Sequence, residues 1–160
     1  MGEFRGRLDA NGRRFAIVVS RFNANVTDRL LAGAQACFRE NGARPGDVDI
    51  ISVPGAWELP VATLHAARNG YAAVVAIGCV IRGDTPHFEY VAGGAAQGLS
   101  KVSVETGVPI VFGVLTTEDL EQALDRAGGK NGNKGYEAAQ TALEMADLIG
   151  KMGEQSASTQ

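Results

Sequence analysis

Aromatic side chains make up only 6% of this 160-residue chain, which holds a single tryptophan, three methionines and two cysteines. Charge is sparse too: 21% of residues are Asp, Glu, Lys or Arg, with 15 basic against 18 acidic and a formal net charge of −3. That slightly acidic balance excludes the basic footprint on which nucleic-acid binding depends. Cys37 and Cys79 are too few and too far apart for a disulfide scaffold or a zinc site, and are expected to be reduced, buried hydrophobes of a cytoplasmic protein. His65 and His87 are distant in sequence and no carboxylates cluster, so no metal is expected. No apolar run reaches the roughly 18 residues of a membrane span, and the opening Met-Gly-Glu-Phe-Arg-Gly-Arg is too polar for a secretory signal. Neither a P-loop nor a Gly-x-Gly-x-x-Gly fingerprint follows the first apolar run, which disfavours nucleoside triphosphates and dinucleotides.

Small residues are what the chain has in excess. Glycine alone is about 13% of it, against a usual 7%; with glycine counted, about 58% is apolar. Such a composition favours close backbone packing and sharp turns, and it excludes disorder. Short apolar runs at Arg14–Ser20, Asp49–Val53, Ala72–Ile81 and Pro109–Leu115 read as buried strands. Between them the spacing predicts helices. One is capped by Asn25 or Thr27 and stopped by Asn41-Gly42; others run over Trp57–Asn69 and Pro86–Gly107. Thr116 opens a Thr-x-x-Asp sequence before a short helix over Glu118–Ala127, and a last helix covers Lys134–Met152. Unalternated strands separated by helices imply an α/β protein with a parallel sheet covered on both faces, as one domain over residues 1–160. The arm at 1–13 holds Phe4 and Leu8 in an alternating pattern, an edge strand without a partner in its own chain, and the polar tail from Gly153 to Gln160 is expected to fray.

Ligands of such sheets bind beyond the carboxyl ends of the strands. The loops there are Ser20-Arg21-Phe22-Asn23, Val53 to Glu58, Arg82 to His87 and Thr116-Thr117, and they gather polar and aromatic groups that the strands lack. Phe22 reads either as a platform for a planar ring or as packing under its own loop. Glu58 reads as a ligand contact or as a carboxylate favoured by the dipole of its helix. His87, at a helix start after Gly83-Asp84-Thr85-Pro86, is placed to move protons near neutral pH, and the backbone of that turn resembles an anion site. His65 lies mid-helix and is expected at the surface. Arg126 suits either an anion or its helix C-terminus, and the segment Gly128–Gly135 either phosphate contacts or a flexible joint.

Four blocks resemble the lumazine synthase family: Ser20-Arg21-Phe22-Asn23; Pro54-Gly55-Ala56-Trp57-Glu58-Leu59-Pro60; Gly78 through Val91; and Phe112 through Thr117, running on to Arg126-Ala127-Gly128 and Gly132-Asn133-Lys134-Gly135. The resemblance spans about Phe15 to Ile149. It implies a three-layer α/β/α, flavodoxin-like fold with a four-stranded parallel sheet, whose N-terminal arm adds an edge strand to a neighbouring subunit. The implied activity, in riboflavin biosynthesis, condenses 5-amino-6-(D-ribitylamino)uracil with 3,4-dihydroxy-2-butanone 4-phosphate, releasing phosphate and water without cofactor or metal. By the same resemblance Phe22 stacks on the pyrimidine, Ala56, Trp57 and Glu58 hold the ribityl chain, and Cys79, Val80 and Ile81 meet the ring edge through backbone. Asp84, Thr85 and Arg126 bind phosphate with Lys134 behind them, His87 transfers protons, and Phe112 arrives from the neighbouring subunit. Asp84 stands where a small residue is frequent, so its contact would be main-chain, and Trp57 exceeds the frequent Phe. Also implied are homo-oligomers: a pentamer and, given the short Gly128–Gly135 joint, an icosahedral shell of twelve pentamers, with functional coupling to riboflavin synthase. Gly/Ala-rich stretches such as Ala92–Gly98 would suit packing about the symmetry axis. Two other classes compete, a non-catalytic flavin- or pterin-binding module of flavodoxin type and a shell-forming structural protein. The first wants an anion loop after the first strand, which Ser20–Asn23 supplies poorly. The second predicts loss of Phe22, His87 or Arg126, all of which stand.

Overall fold

A computed structural model describes residues 2–158. Strand β1 (Phe15–Ser20) leads to helix α1 (Ala24–Glu40), β2 (Val48–Val53), α2 (Leu59–Ala67), β3 (Ala73–Ile81), α3 (His87–Thr106), β4 (Ile110–Thr117) and α4 (Leu120–Asp125). Two very short strands, β5 (Ala127–Gly129) and β6 (Gly132–Asn133), precede α5 (Lys134–Ser158). The four long strands form one parallel sheet in the order β2-β1-β3-β4, and the fold is the expected three-layer, flavodoxin-like α/β/α arrangement.

Strand alternation explains the layers. Along β1, Phe15, Ile17 and Val19 join Leu30 and Phe38 of α1 and Leu143 of α5 in one core; Ala16 and Val18 join Leu59 of α2 and Leu99 of α3 in the other. Small residues let these layers approach. Ala138, Ala139, Ala142 and Ala146 of α5 are all buried, and a Cβ at Gly135 would collide with the Leu30 carbonyl of α1. Among the described residues, aromatic rings meet in one internal contact, Phe15 against Phe38 at 4.8 Å between ring centres. The glycines of α3 do the same job inside the chain: a Cβ at Gly94 would strike the Trp57 ring, and one at Gly98 would lie 2.6 Å from Pro60. These two positions therefore seat the Ala56–Pro60 turn.

Several local expectations differ. β2 is an edge strand, and Ile50 on it is exposed. Helix α1 begins at Ala24, after Asn23 in the left-handed region (φ 64°), so neither Asn25 nor Thr27 is its cap; Thr27 is buried. Asp119, not Thr116, caps α4, accepting from the Gln122 N–H at 2.8 Å, because β4 runs on through Thr117. The Gly128–Gly135 joint is an ordered hairpin of β5 and β6, closed by Asn131 N–H donating to the Asp125 carbonyl at 2.7 Å and Lys134 N–H to the Arg126 carbonyl at 2.8 Å. Helix α5 continues to Ser158, beyond the Met152 expected; Thr159 and Gln160 lie outside the described residues.

Among residues 2–14 no strand forms; instead the arm is fastened to α5 of its own chain. Asp147, buried to 7% exposure, accepts from the Arg7 N–H at 2.7 Å, from Arg13 Nη2 at 2.9 Å and from Lys151 Nζ at 2.9 Å, while Lys151 also donates to the Arg5 carbonyl. Phe4 and Leu8 stay exposed. Lys151, then the Arg7 N–H and Arg13, hold the Asp147 carboxyl at about 2, below its ordinary 3.8. A depressed carboxylate contributes stability above its unfolded pKa and loses it as pH falls toward the folded one. Asp147→Asn should therefore be less stable than the parent at neutral pH by about 2 kcal/mol, a gap that closes between about pH 5 and 2. Urea midpoints of both proteins across that range check this; a gap independent of pH would refute it.

Candidate active site

At the carboxyl ends of β1, β2 and β3 lies a cavity of about 810 Å³. Its walls come from the loops after these strands and from the first turns of α3. Phe22 stands in the loop after β1, 71% exposed, although its backbone is fixed: its N–H donates to the Pro54 carbonyl at 3.0 Å, and the Arg21 N–H to Val53 at 2.8 Å. The backbone there is tied while the ring is free, so packing under its own loop does not describe Phe22. Opposite, a 3₁₀ turn over Ala56–Glu58, closed by Glu58 N–H to the Gly55 carbonyl, presents Trp57 (59% exposed) and Glu58. Pro60 follows in the first turn of α2, where its missing N–H costs no helical bond.

β3 forms the floor. It pairs with β1 only as far as Val19–Ile77, yet pairs with β4 through Ile81–Thr117. Beyond Ile77 its β1-facing edge is therefore open. In a parallel ladder alternate residues address opposite neighbours. The Arg82 N–H goes to Thr117 of β4, and the Cys79 carbonyl accepts from Asn23 Nδ2 on the β1 side. Ile81, two residues from Cys79, consequently turns its N–H and C=O toward the open edge, a donor–acceptor pair suited to the rim of a flat heterocycle. The Cys79 side chain is buried at 3% exposure, and desolvation pushes its thiol up to about 11, so it stays protonated and non-nucleophilic at neutral pH.

His87 is the first residue of α3, exposed, and lines the cavity with Gly83 and Thr85. Phe88, Tyr90 and Val91 complete this wall and were missed in the sequence. Positions 87, 88, 90 and 91 mark one face of the first helical turns, a signal legible once the helix start is known. Asp84 is exposed and does not line the cavity. Neighbouring Arg82 is held by ion pairs to Glu89 and to Glu118 (Nε–Oε2 2.9 Å), and its guanidinium sits 4.4 Å from the centre of the Phe88 ring. Exposed pairs of this kind contribute little stability, but this one joins the loop carrying Thr85 and His87 to the end of β4. His65 is exposed, as expected.

Phe112 and Arg126 are elsewhere. They line a second cleft of about 370 Å³ between β4 and α5, together with Lys134, Glu137 and Thr141. Lys134 pairs with Glu137 at 3.4 Å. Arg126, at the end of α4, donates from Nη1 to the Gln122 carbonyl at 2.9 Å and has no carboxylate partner among the described residues. The two clefts are chemically complementary. The first has an aromatic platform, open backbone groups and an imidazole, and no Lys or Arg lines it; the second has a free guanidinium beside an exposed aromatic ring. No helix of the described residues is long and apolar enough to cross a membrane. A family model described as 6,7-dimethyl-8-ribityllumazine synthase matches residues 12–150, so the chain belongs to that family, a family of transferase-type enzymes in riboflavin biosynthesis.

Proposed function

We propose that this member of the lumazine synthase family acts as a single domain that condenses 5-amino-6-(D-ribitylamino)uracil with 3,4-dihydroxy-2-butanone 4-phosphate in the cytoplasm. The observation that carries the reading is the division of groups between two clefts: everything needed to hold a flat, hydroxylated pyrimidine lies in one, and the unpaired cation needed for phosphate lies in the other. A site built by joining the first cleft of one subunit to the second cleft of its neighbour would contain both. Phe22 would stack on the pyrimidine, Ala56, Trp57 and Glu58 would hold the ribityl chain, and the backbone of Cys79, Val80 and Ile81 would meet the ring edge. Thr85, the main chain of Asp84 and the neighbour's Arg126 would take the phosphate, with the neighbour's Phe112 covering the ring.

The steps are redox-neutral. The pyrimidine amine attacks the ketone and water leaves to give an imine; phosphate departs by elimination, leaving an enol that tautomerises to a new carbonyl; the second amine adds to that carbonyl and a second water leaves, closing the ring. His87, exposed at the cavity wall, would carry protons between these steps. Positioning the two reactants supplies much of the acceleration. The assembly we propose is the pentamer, extended to a shell of twelve pentamers because the β5–β6 joint is short; riboflavin synthase, which would use the product, is a functional partner.

Mixing the purified protein with both substrates should produce the lumazine chromophore together with stoichiometric phosphate, well above the spontaneous rate. A rate equal to background would overturn the assignment. His87→Ala should lower kcat about tenfold, less than loss of a sole acid–base group usually costs, because the bound geometry survives.

A further inference from the structure

Among the described residues Asn23 is the one non-glycine with positive φ. Asparagine tolerates the left-handed region better than most residues, but not freely. It is also the residue before α1, where an asparagine side chain normally caps the helix, yet it makes no such bond. Its Nδ2 instead donates at 2.9 Å to the carbonyl of Cys79, 56 residues away. That carbonyl belongs to the stretch of β3 that has run past its last partner on β1. The asparagine amide therefore stands in for a missing strand N–H. Immediately before it, the Phe22 N–H is tied to Pro54. The Phe22 platform is thus pinned to β2 on one side and to β3 on the other.

We infer that Asn23 is a positioning residue: its amide fastens the Phe22 loop to the open edge of β3 and so sets the gap in which the pyrimidine lies between ring platform and strand edge. This inference rests on the function proposed above for the same cavity.

Asn23→Gly keeps the left-handed turn and removes the amide; Asn23→Asp keeps the size and sets a carboxylate oxygen against the Cys79 carbonyl. Both are compared with the parent by titration with 5-amino-6-(D-ribitylamino)uracil alone, by steady-state kinetics, and by hydrogen exchange at residues 21–24. Affinity for the pyrimidine should fall about tenfold in the glycine variant, the value of one lost hydrogen bond, and further in the aspartate. The KM for the phosphate substrate and kcat at saturation should hold within about twofold. Exchange at Phe22 should quicken while the thermal midpoint stays near the parent's. Unchanged pyrimidine affinity in both variants would overturn the inference. So would a parallel loss of every kinetic constant and of thermal stability, which marks a residue serving only the fold. If the parent binds the pyrimidine but does not turn over, the proposed reaction fails while the affinities still decide the role of Asn23; a parent that does not bind it sinks both.

Discussion

Arg126→Ala is expected to raise the KM for 3,4-dihydroxy-2-butanone 4-phosphate about a hundredfold, with binding of the pyrimidine unchanged. The size follows from what surrounds the guanidinium. Arg126 spends one N–H on the Gln122 carbonyl and meets no carboxylate, whereas Lys134 beside it is neutralised by Glu137 and Arg82 by two glutamates. A dianion brought to this neighbourhood would find one cation whose charge is uncommitted. Hydrogen bonds to charged partners are worth about 1.5–3 kcal/mol, and a forked guanidinium can supply two in parallel. Arg126→Lys should recover part of the loss, since it restores charge without the fork. Initial rates over a range of the phosphate substrate measure both variants; a KM within twofold of the parent for Arg126→Ala would remove Arg126 from the site.

The layered α/β/α fold was legible because β1 and β3 carry unbroken apolar runs that only a doubly covered sheet accommodates. Edges were harder. Nothing local in Asp49–Val53 says that β2 lies outermost; that depends on which strand pairs with which, and its half-exposed Ile50 shows up only in three dimensions. Turn geometry was the other blind spot. Asn23 looks like any loop asparagine until its φ and its bond to Cys79 are seen, and Gly128–Gly135 reads as a joint because short hairpins held by backbone bonds leave no hydrophobic pattern. The site residues were recognisable in loops at the strand ends, which the parallel topology brings together. Their separation into two clefts was not, since Phe112 and Arg126 flank β4 on the side away from Phe22, and the sequence carries no mark of side.

That separation makes the second large effect one of mixing. If each working site joins two subunits, a variant damaged only in the first cleft and a variant damaged only in the second should each be nearly inactive, yet regain activity together. Phe22→Ala with His87→Ala removes the platform and the imidazole; Arg126→Ala removes the cation. Subunits exchanged at equal proportions by co-expression place an intact first cleft against an intact second cleft at about a quarter of the interfaces, by the head-to-tail arithmetic of a cyclic assembly. Activity measured at low phosphate substrate should therefore rise from near zero to about a quarter of the parent's. The same two preparations mixed without exchange should stay inactive, which separates shared sites from simple addition of residual rates. Were each chain to build its site alone, exchange would change nothing, because every subunit would still carry its own lesion. The arm bears on the same experiment. Its root is clasped to α5 through Asp147 while Phe4 and Leu8 remain exposed, so a chain presents these two apolar side chains outward from a fixed point. An exposed β2 edge with Ile50 uncovered is the kind of surface such an arm could cover on a neighbour. Deleting residues 2–8 should then weaken the assembly without touching either cleft, and the exchange experiment on truncated chains should lose its recovered activity as the subunits separate on dilution.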